Sequence, residues 1–232
     1  MYIAIEGPDG SGKSTQVKLL SEKLTYLGYD NKVIREPGET GVGTKIRNML
    51  MADDVAINQT TELLLFMANR AQITSEILQH KDAGNKIIIS DRCFVSSIVY
   101  QYAVGKMKYD DSCMTSIEAV SELERVIKHY LGLHHTLKLA VPDLIIFLKY
   151  HDCNILEANL KARNEGNKFD GLNVNVFYND VSEYLRDYIH TFNTVVIDCD
   201  ELGSKQLSGE EISKKVFKAV MKYHTDPDDI TF

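Results

Sequence analysis

Cysteine is scarce in this chain and badly spaced for chemistry. The four thiols, Cys93, Cys113, Cys153 and Cys199, form no CxxC pair. That argues against a close-spaced zinc site or a dithiol redox motif, and four reduced thiols in a cytoplasmic protein are expected. Positive charge is also short: 26 Lys and Arg stand against 33 Asp and Glu, a net charge of −7. Proteins that live on nucleic acid carry a basic excess or stripe. A small molecule in a local basic pocket is therefore the expected partner, not nucleic acid. No apolar run reaches the roughly 18 residues of a membrane span, so no membrane partner is expected. An apolar strand pattern starts at Tyr2, so no targeting segment is expected. Proline and glycine number 4 and 14 in 232 residues, too few for an obvious linker. One domain over 1–232 is the expected organisation.

What the chain does hold is a series of short apolar runs separated by helical patterns. Strands are expected at Tyr2–Glu6, Lys32–Arg35, Lys86–Ser90, Asp143–Leu148 and Thr194–Asp198. Helices are expected over Gly12–Leu27, Val42–Met51, Thr60–Asp82, Cys93–Tyr102, Ser121–Tyr130 and about Gly209–Tyr223. Buried strands of four to six residues alternating with helices predict an α/β fold with a parallel sheet covered on both faces.

The first strand runs into Gly7-Pro8-Asp9-Gly10-Ser11-Gly12-Lys13-Ser14-Thr15. This is the G-x4-G-K-[ST] pattern between a strand and a helix. Gly10 and Gly12 let the backbone turn so that successive N–H groups point at an anion. The new helix adds its positive end. Lys13 can reach the β- and γ-phosphates of a triphosphate such as ATP, and the Ser14 hydroxyl can ligate Mg2+. The pattern alone does not separate kinases from GTPases, motors or synthetases.

Three further segments narrow the class. Arg35-Glu36-Pro37-Gly38-Glu39-Thr40 follows the second strand and leaves Arg35 at its end, with a planar fork suited to phosphate. Asp91-Arg92 follows the third strand, where an aspartate can hold magnesium and an arginine can clamp a second phosphate. Both lie at the sheet edge where ligands bind in open parallel sheets. Phe66 and Arg70, four apart, face one way on a helix and could stack on a base and bond its edge. Two phosphate sites on one edge suggest transfer of a phosphoryl group between two nucleotides.

These segments together resemble the thymidylate kinase family. The matching stretches are EGPDGSGKST at 6–15, REPGET at 35–40, FMANRAQ at 66–72 and DRCFVSSIVYQ at 91–101. The resemblance implies a three-layer P-loop fold with a five-stranded parallel sheet and a short mobile lid, and Mg-assisted phosphorylation of dTMP by ATP. It implies that Lys13 and the loop 7–15 hold the ATP phosphates, and that Ser14 and Asp91 place Mg2+. Asp9 lies near the deoxyribose 3′-hydroxyl and acceptor phosphate, which Arg35 and Arg92 grip. Phe66 stacks on the base, Arg70 bonds its O4 edge, and Ser96, Ser97 and Gln101 line its pocket. Tyr100 packs where a ribose 2′-hydroxyl would be. With Gly10 and Ser11 in the loop, the catalytic cations are expected from the lid, about 161–175, with Arg163 first and Lys168 next. A homodimer is the family's common state. Three departures from the family pattern stand out: Glu39, Lys149 after the fourth strand, and an extension at about 106–140 containing His129, His134 and His135. Glu39 and the extension keep open another acceptor, dUMP or a 5-substituted dUMP; a nucleotide-binding protein without turnover is a separate alternative, against which intact Lys13, Asp91, Arg92 and Arg163 argue.

Overall fold

Tyr2–Glu6 forms the central strand, β1, and every one of its five residues is buried. The computed structural model describes residues 1–52, 54–76, 86–103, 116–162, 174–188, 192–200 and 206–225. β1 pairs in parallel with β3 (Ile87–Asp91) on one side and β4 (Leu144–Lys149) on the other. β2 (Asn31–Arg35) and β5 (Asn193–Asp198) close the two edges, for a strand order β2-β3-β1-β4-β5. All pairs are parallel. The chain first builds toward β2 and then crosses to β4, so the order reverses at β1. The crevice at the carboxyl end of β1 is where such sheets bind ligands.

The alternation of side chains explains why the strands read as continuous apolar runs. Ile3 and Ile5 pack with Ile146 and Leu148 on the face covered by α1 (Lys13–Tyr26) and α8 (Gly209–Thr225). Ala4, Ile145 and Phe147 face the opposite layer. That layer contains α4 (Phe94–Ser97), α5 (Ser116–Thr136) and α7 (Asn175–Tyr188). A strand buried on both faces has no polar side to show. A third, small cluster of Tyr2, Ile34, Ile73 and Ile88 lies under α3 (Gln59–Glu76), and α2 (Gly41–Met51) packs beside α3.

Most sequence boundaries agree with the structure within two residues. The differences are instructive. α4 is α-helical for four residues only and continues as a π-helical turn, Ile98–Ala103. α5 is longer than the Ser121–Tyr130 pattern, running from Ser116 to Thr136. The expected end of α3, beyond Glu76, lies outside the described residues. Two helices were not anticipated: α6 (Cys153–Ala162) and α7. The α7 signal was present, because Val174, Tyr178, Val181 and Leu185 recur at helical spacing and are buried. Of the expected lid, 161–175, the first two residues end α6 and the last begins α7, while 163–173 lie outside the described residues.

The histidines of α5 do not converge. His129 and His135 are exposed, whereas His134 is buried against Phe94 and Tyr130. Its Nε2 has no hydrogen-bond partner. Burial, with Arg70 nearby, pushes its pKa down to about 3, so the folded state keeps the ring neutral. The unfolded chain takes up that proton near pH ~6.5. Stability from this site is complete above pH ~6.5 and falls as pH drops toward about 3, by at most ~1.4 kcal/mol per unit. A His134→Leu variant is expected to lose about 2 kcal/mol less than the parent between pH 7 and 5, read by urea denaturation. Equal losses would mean that the imidazole is not held neutral.

Candidate active site

The loop after β1 is shaped by glycine where no other residue fits. Gly10 and Gly12 have φ of 83° and 84°, in the left-handed region that L side chains avoid. A Cβ on Gly10 would sit 2.6 Å from the Leu156 carbonyl oxygen of α6. Asn159 of α6 donates to the Gly10 carbonyl at 2.9 Å, and the Tyr150 hydroxyl donates to the Ser11 carbonyl at 3.1 Å. The loop therefore rests on the helix that leads into the expected lid. α1 starts after Gly12 with no side-chain cap, which leaves its first N–H groups suited to an anion.

Lys13 is buried, and its Nζ donates to the Pro8 carbonyl at 2.7 Å. Burial and Arg92 lower its pKa to about 8, against the pull of Asp9, Asp91 and Glu6. The next residue, Ser14, donates its hydroxyl to Asp91 Oδ2 at 2.5 Å. Loop and third strand thus supply two hard oxygen ligands side by side, the donor type magnesium takes together with phosphate oxygens and waters. Among the described residues no cluster of three or more His, Cys, Asp or Glu could hold a metal alone. Thr15 is exposed on α1.

Arg92 sits at the end of β3 with φ 78°, a conformation that costs a non-glycine residue energy and clusters at functional sites. Its N–H bonds the Ile5 carbonyl at 3.1 Å, and its own carbonyl accepts from Ser90 Oγ at 2.6 Å. Its guanidinium reaches Asp9 Oδ1 at 2.5 Å, the Tyr178 hydroxyl at 2.7 Å and Ser96 Oγ at 3.0 Å. Tyr100 donates to the other Asp9 oxygen at 2.7 Å and lies under the Arg92 guanidinium, 5.4 Å from ring centroid to Cζ. The sequence-predicted set Asp9, Arg92, Ser96 and Tyr100 is therefore one connected group. Ser96 serves this scaffold, since its hydroxyl also bonds the buried Glu6 carboxylate at 3.0 Å.

Arg35 lies exposed at the end of β2, in register with Asp91. A third arginine joins them that sequence reasoning missed. Arg47 of α2 donates to the Pro37 carbonyl at 2.9 Å, and burial together with Arg35 lowers its pKa. The signal was the spacing Gly43…Arg47. Gly43 faces the Pro37–Gly38 turn so closely that a Cβ would meet the Gly38 oxygen at 2.1 Å. Residues four apart on a helix share a face. Thr40 caps that helix by accepting the Gly43 N–H at 2.8 Å. Of the departures, Glu39 is paired with Lys32 at 3.1 Å and Lys149 with Glu183 of α7 at 2.6 Å.

Phe66 is half-buried on α3, one turn before Arg70. Arg70 is buried and donates through Nε to Glu36 Oε2 at 2.7 Å, with Nη2 at the same distance from that oxygen. Nη1 donates to the Tyr130 hydroxyl at 2.5 Å, and both terminal nitrogens reach Ser97 Oγ at 3.4 and 3.5 Å. Glu36 also accepts from the Tyr2 hydroxyl at 3.2 Å. Arg70 and Ser97 come together as expected. The side chain of Gln101, and all of Arg163 and Lys168, lie outside the described residues.

The family profile described as thymidylate kinase matches residues 5–201. Thymidylate kinase of Exiguobacterium sibiricum is 42% identical over 106 residues, which are 45% of this chain and 50% of that protein. Thymidylate kinase of Kosmotoga olearia is 40% identical over 143 residues, 61% of this chain and 64% of its own length. The chain thus spans about half to two thirds of these curated relatives. The crystal structure of thymidylate kinase from Ehrlichia chaffeensis superposes with a TM-score of 0.64 at 23% identity. It covers 95% of this chain and 98% of that one, a likeness of fold. With the profile spanning most of its length, the chain belongs to the thymidylate kinase family.

Proposed function

We propose that this protein transfers the γ-phosphoryl group of ATP to dTMP, giving dTDP. The observation that carries the reading is the pairing of two cationic sets across one sheet edge. Lys13 precedes Ser14 in the loop, and across the Ser14–Asp91 hydrogen bond Arg92 follows Asp91, with Arg35 in register with Asp91 and Arg47 near Arg35. Phosphoryl transfer asks of a protein chiefly alignment and positive charge, with water excluded.

On the donor side, Lys13 leaves the Pro8 carbonyl for the triphosphate, and the loop 7–15 lends its N–H groups. Ser14 and Asp91 would hold Mg2+, which when bound neutralises charge on the donor phosphates. On the acceptor side, Arg92 turns from Asp9 toward the incoming 5′-phosphate, assisted by Arg35 and Arg47. Asp9, released in part, would accept from the deoxyribose 3′-hydroxyl while Tyr100 would exclude a 2′-hydroxyl. Phe66 and Arg70 take the base, with Ser97 and Gln101 beside it. Arg163, then Lys168, would add charge at the transferred group from a lid at about 161–175. The single P-loop kinase domain is inferred to act in the cytoplasm as a homodimer. Exposed Val42, Met49, Val55 and Leu64 around α2 and α3 are apolar surface that such pairing would cover.

A panel of dTMP, dUMP, 5-substituted dUMP, dCMP, dGMP and AMP in a coupled ADP-release assay tests the acceptor. Turnover is expected to be best with dTMP; its absence would sink the substrate claim, and ATP binding without any transfer would mark a protein without turnover. Arg92→Ala is expected to lower transfer by about 10²–10³-fold or more with ATP affinity kept within about twofold. Unchanged turnover would remove Arg92 from the site. Finally, kcat/KM for ATP is expected to decline as pH rises past about 8, as Lys13 loses its proton. In Lys13→Arg, whose guanidinium stays charged, that decline should disappear from whatever activity remains.

A further inference from the structure

Arg70 is the group assigned to the base edge, yet partners surround it. Glu36 holds Nε and Nη2 through one oxygen at 2.7 Å. The Tyr130 hydroxyl accepts Nη1 at 2.5 Å. The contacts to Ser97 Oγ are long, at 3.4 and 3.5 Å, and both terminal nitrogens make them. The edge between Nη1 and Nη2 is therefore the weakly held one, and it points to Ser97 on α4.

Tyr130 comes from a different part of the chain, α5, and is fully buried. Its ring stacks on Phe94 with centroids 6.4 Å apart and planes at 21°, and His134 lies against it at 5.9 Å. It also hydrogen-bonds Ser97. A ring packed on two sides keeps its hydroxyl in one place. Glu36 alone would leave the guanidinium able to tilt about that single oxygen. A second anchor on Nη1 removes the freedom.

We propose that Tyr130 is a positioning residue that sets acceptor-base specificity. By accepting Nη1 it fixes the weakly held edge of Arg70 as a donor for the 4-position of a pyrimidine ring. A guanidinium donates and never accepts. The 4-carbonyl of thymine or uracil accepts from it, whereas the 4-amino group of cytosine brings donor against donor. A buried polar site rejects such a mismatch strongly only when its groups cannot move away from it. α5 thus supplies the rigidity that turns Arg70 from a cation near the base into a reader of its carbonyl. This inference rests on the thymidylate reading of the site.

Tyr130→Phe keeps the stacked ring and removes the hydroxyl. Steady-state rates of the full chain would be measured with dTMP and with dCMP at saturating ATP. dCMP would also be followed as a competitive inhibitor of dTMP. For Tyr130→Phe, KM for dTMP is expected to rise about tenfold, with kcat and KM for ATP within about twofold. The preference for dTMP over dCMP is expected to fall about tenfold, as a ratio of kcat/KM or of KM to Ki. A packing role alone would lower the melting temperature and weaken both nucleotides equally. An unchanged preference overturns the inference, whatever happens to stability. If the parent protein does not use dTMP at all, the thymidylate reading falls and this inference falls with it. If the parent does use dTMP but the variant keeps its preference, only the role of Tyr130 is lost.

Discussion

A single buried carboxylate at the end of the central strand organises the group of side chains around Arg92. Glu6 is fully buried and accepts the Cys93 N–H at 2.7 Å, the Ser96 N–H at 3.2 Å and the Ser96 hydroxyl. These groups belong to the first turn of α4, whose N–H groups have no partners within the helix. A carboxyl oxygen there satisfies them. The bonds tie the start of α4 to β1. Arg92, the residue between β3 and α4, is thereby held in a backbone conformation it would not choose. Replacing that buried acceptor would strand several donors at once, each costing about 1–3 kcal/mol.

From Arg92 the order spreads outward in two directions. Toward the phosphate loop it passes to Asp9 and Tyr100. Toward α7 it passes to Tyr178, whose hydroxyl also meets Ser96 at 2.9 Å. α7 begins at Asn175, the last residue of the segment expected to be the lid, so the helix that holds Arg92 through Tyr178 also borders that segment. The entry helix, α6, rests on the phosphate loop through Leu156 and Asn159. The phosphate loop and Arg92 are each braced by one of the two helices, α6 and α7, that border 163–173. The second buried arginine, Arg70, obeys different physics. Its charge is balanced by Glu36 within the protein, so it is not poised to attract a phosphate. Its use lies in direction, not charge.

Much of the site was legible because its chemistry is written in contiguous stretches. The phosphate loop, Asp91-Arg92 and the Phe66/Arg70 pair each lie on one element, and local spacing sets which way their side chains point. Arg47 was not legible by the same means, since only the packing of α2 on the Pro37–Gly38 turn brings it to the edge. Tyr178 and Tyr130 were invisible for a stronger reason. Their hydroxyls meet Arg92 and Arg70 across 86 and 60 residues of chain, and neither lies in a recognisable motif. Ser96 was found, but its bonds to Glu6, Arg92 and Tyr178 were not, because a serine's spacing does not reveal whether a buried carboxylate waits for it.

The sequence by itself determined the parallel sheet, the anion-binding loop and the kinase family. Each of these follows from patterns repeated over a few residues: unbroken apolar strands, glycines at forced turns, and charged residues just past strand ends. Only the tertiary structure decided which charges remain available for substrate. Lys149 and Glu39 depart from the family pattern in charge, yet each is paired with a partner. Arg70 is neutralised as well, while Arg92 is held between an acid and two hydroxyls. Net charge on a side chain is a local property, but its availability depends on what the fold sets beside it within about 4 Å.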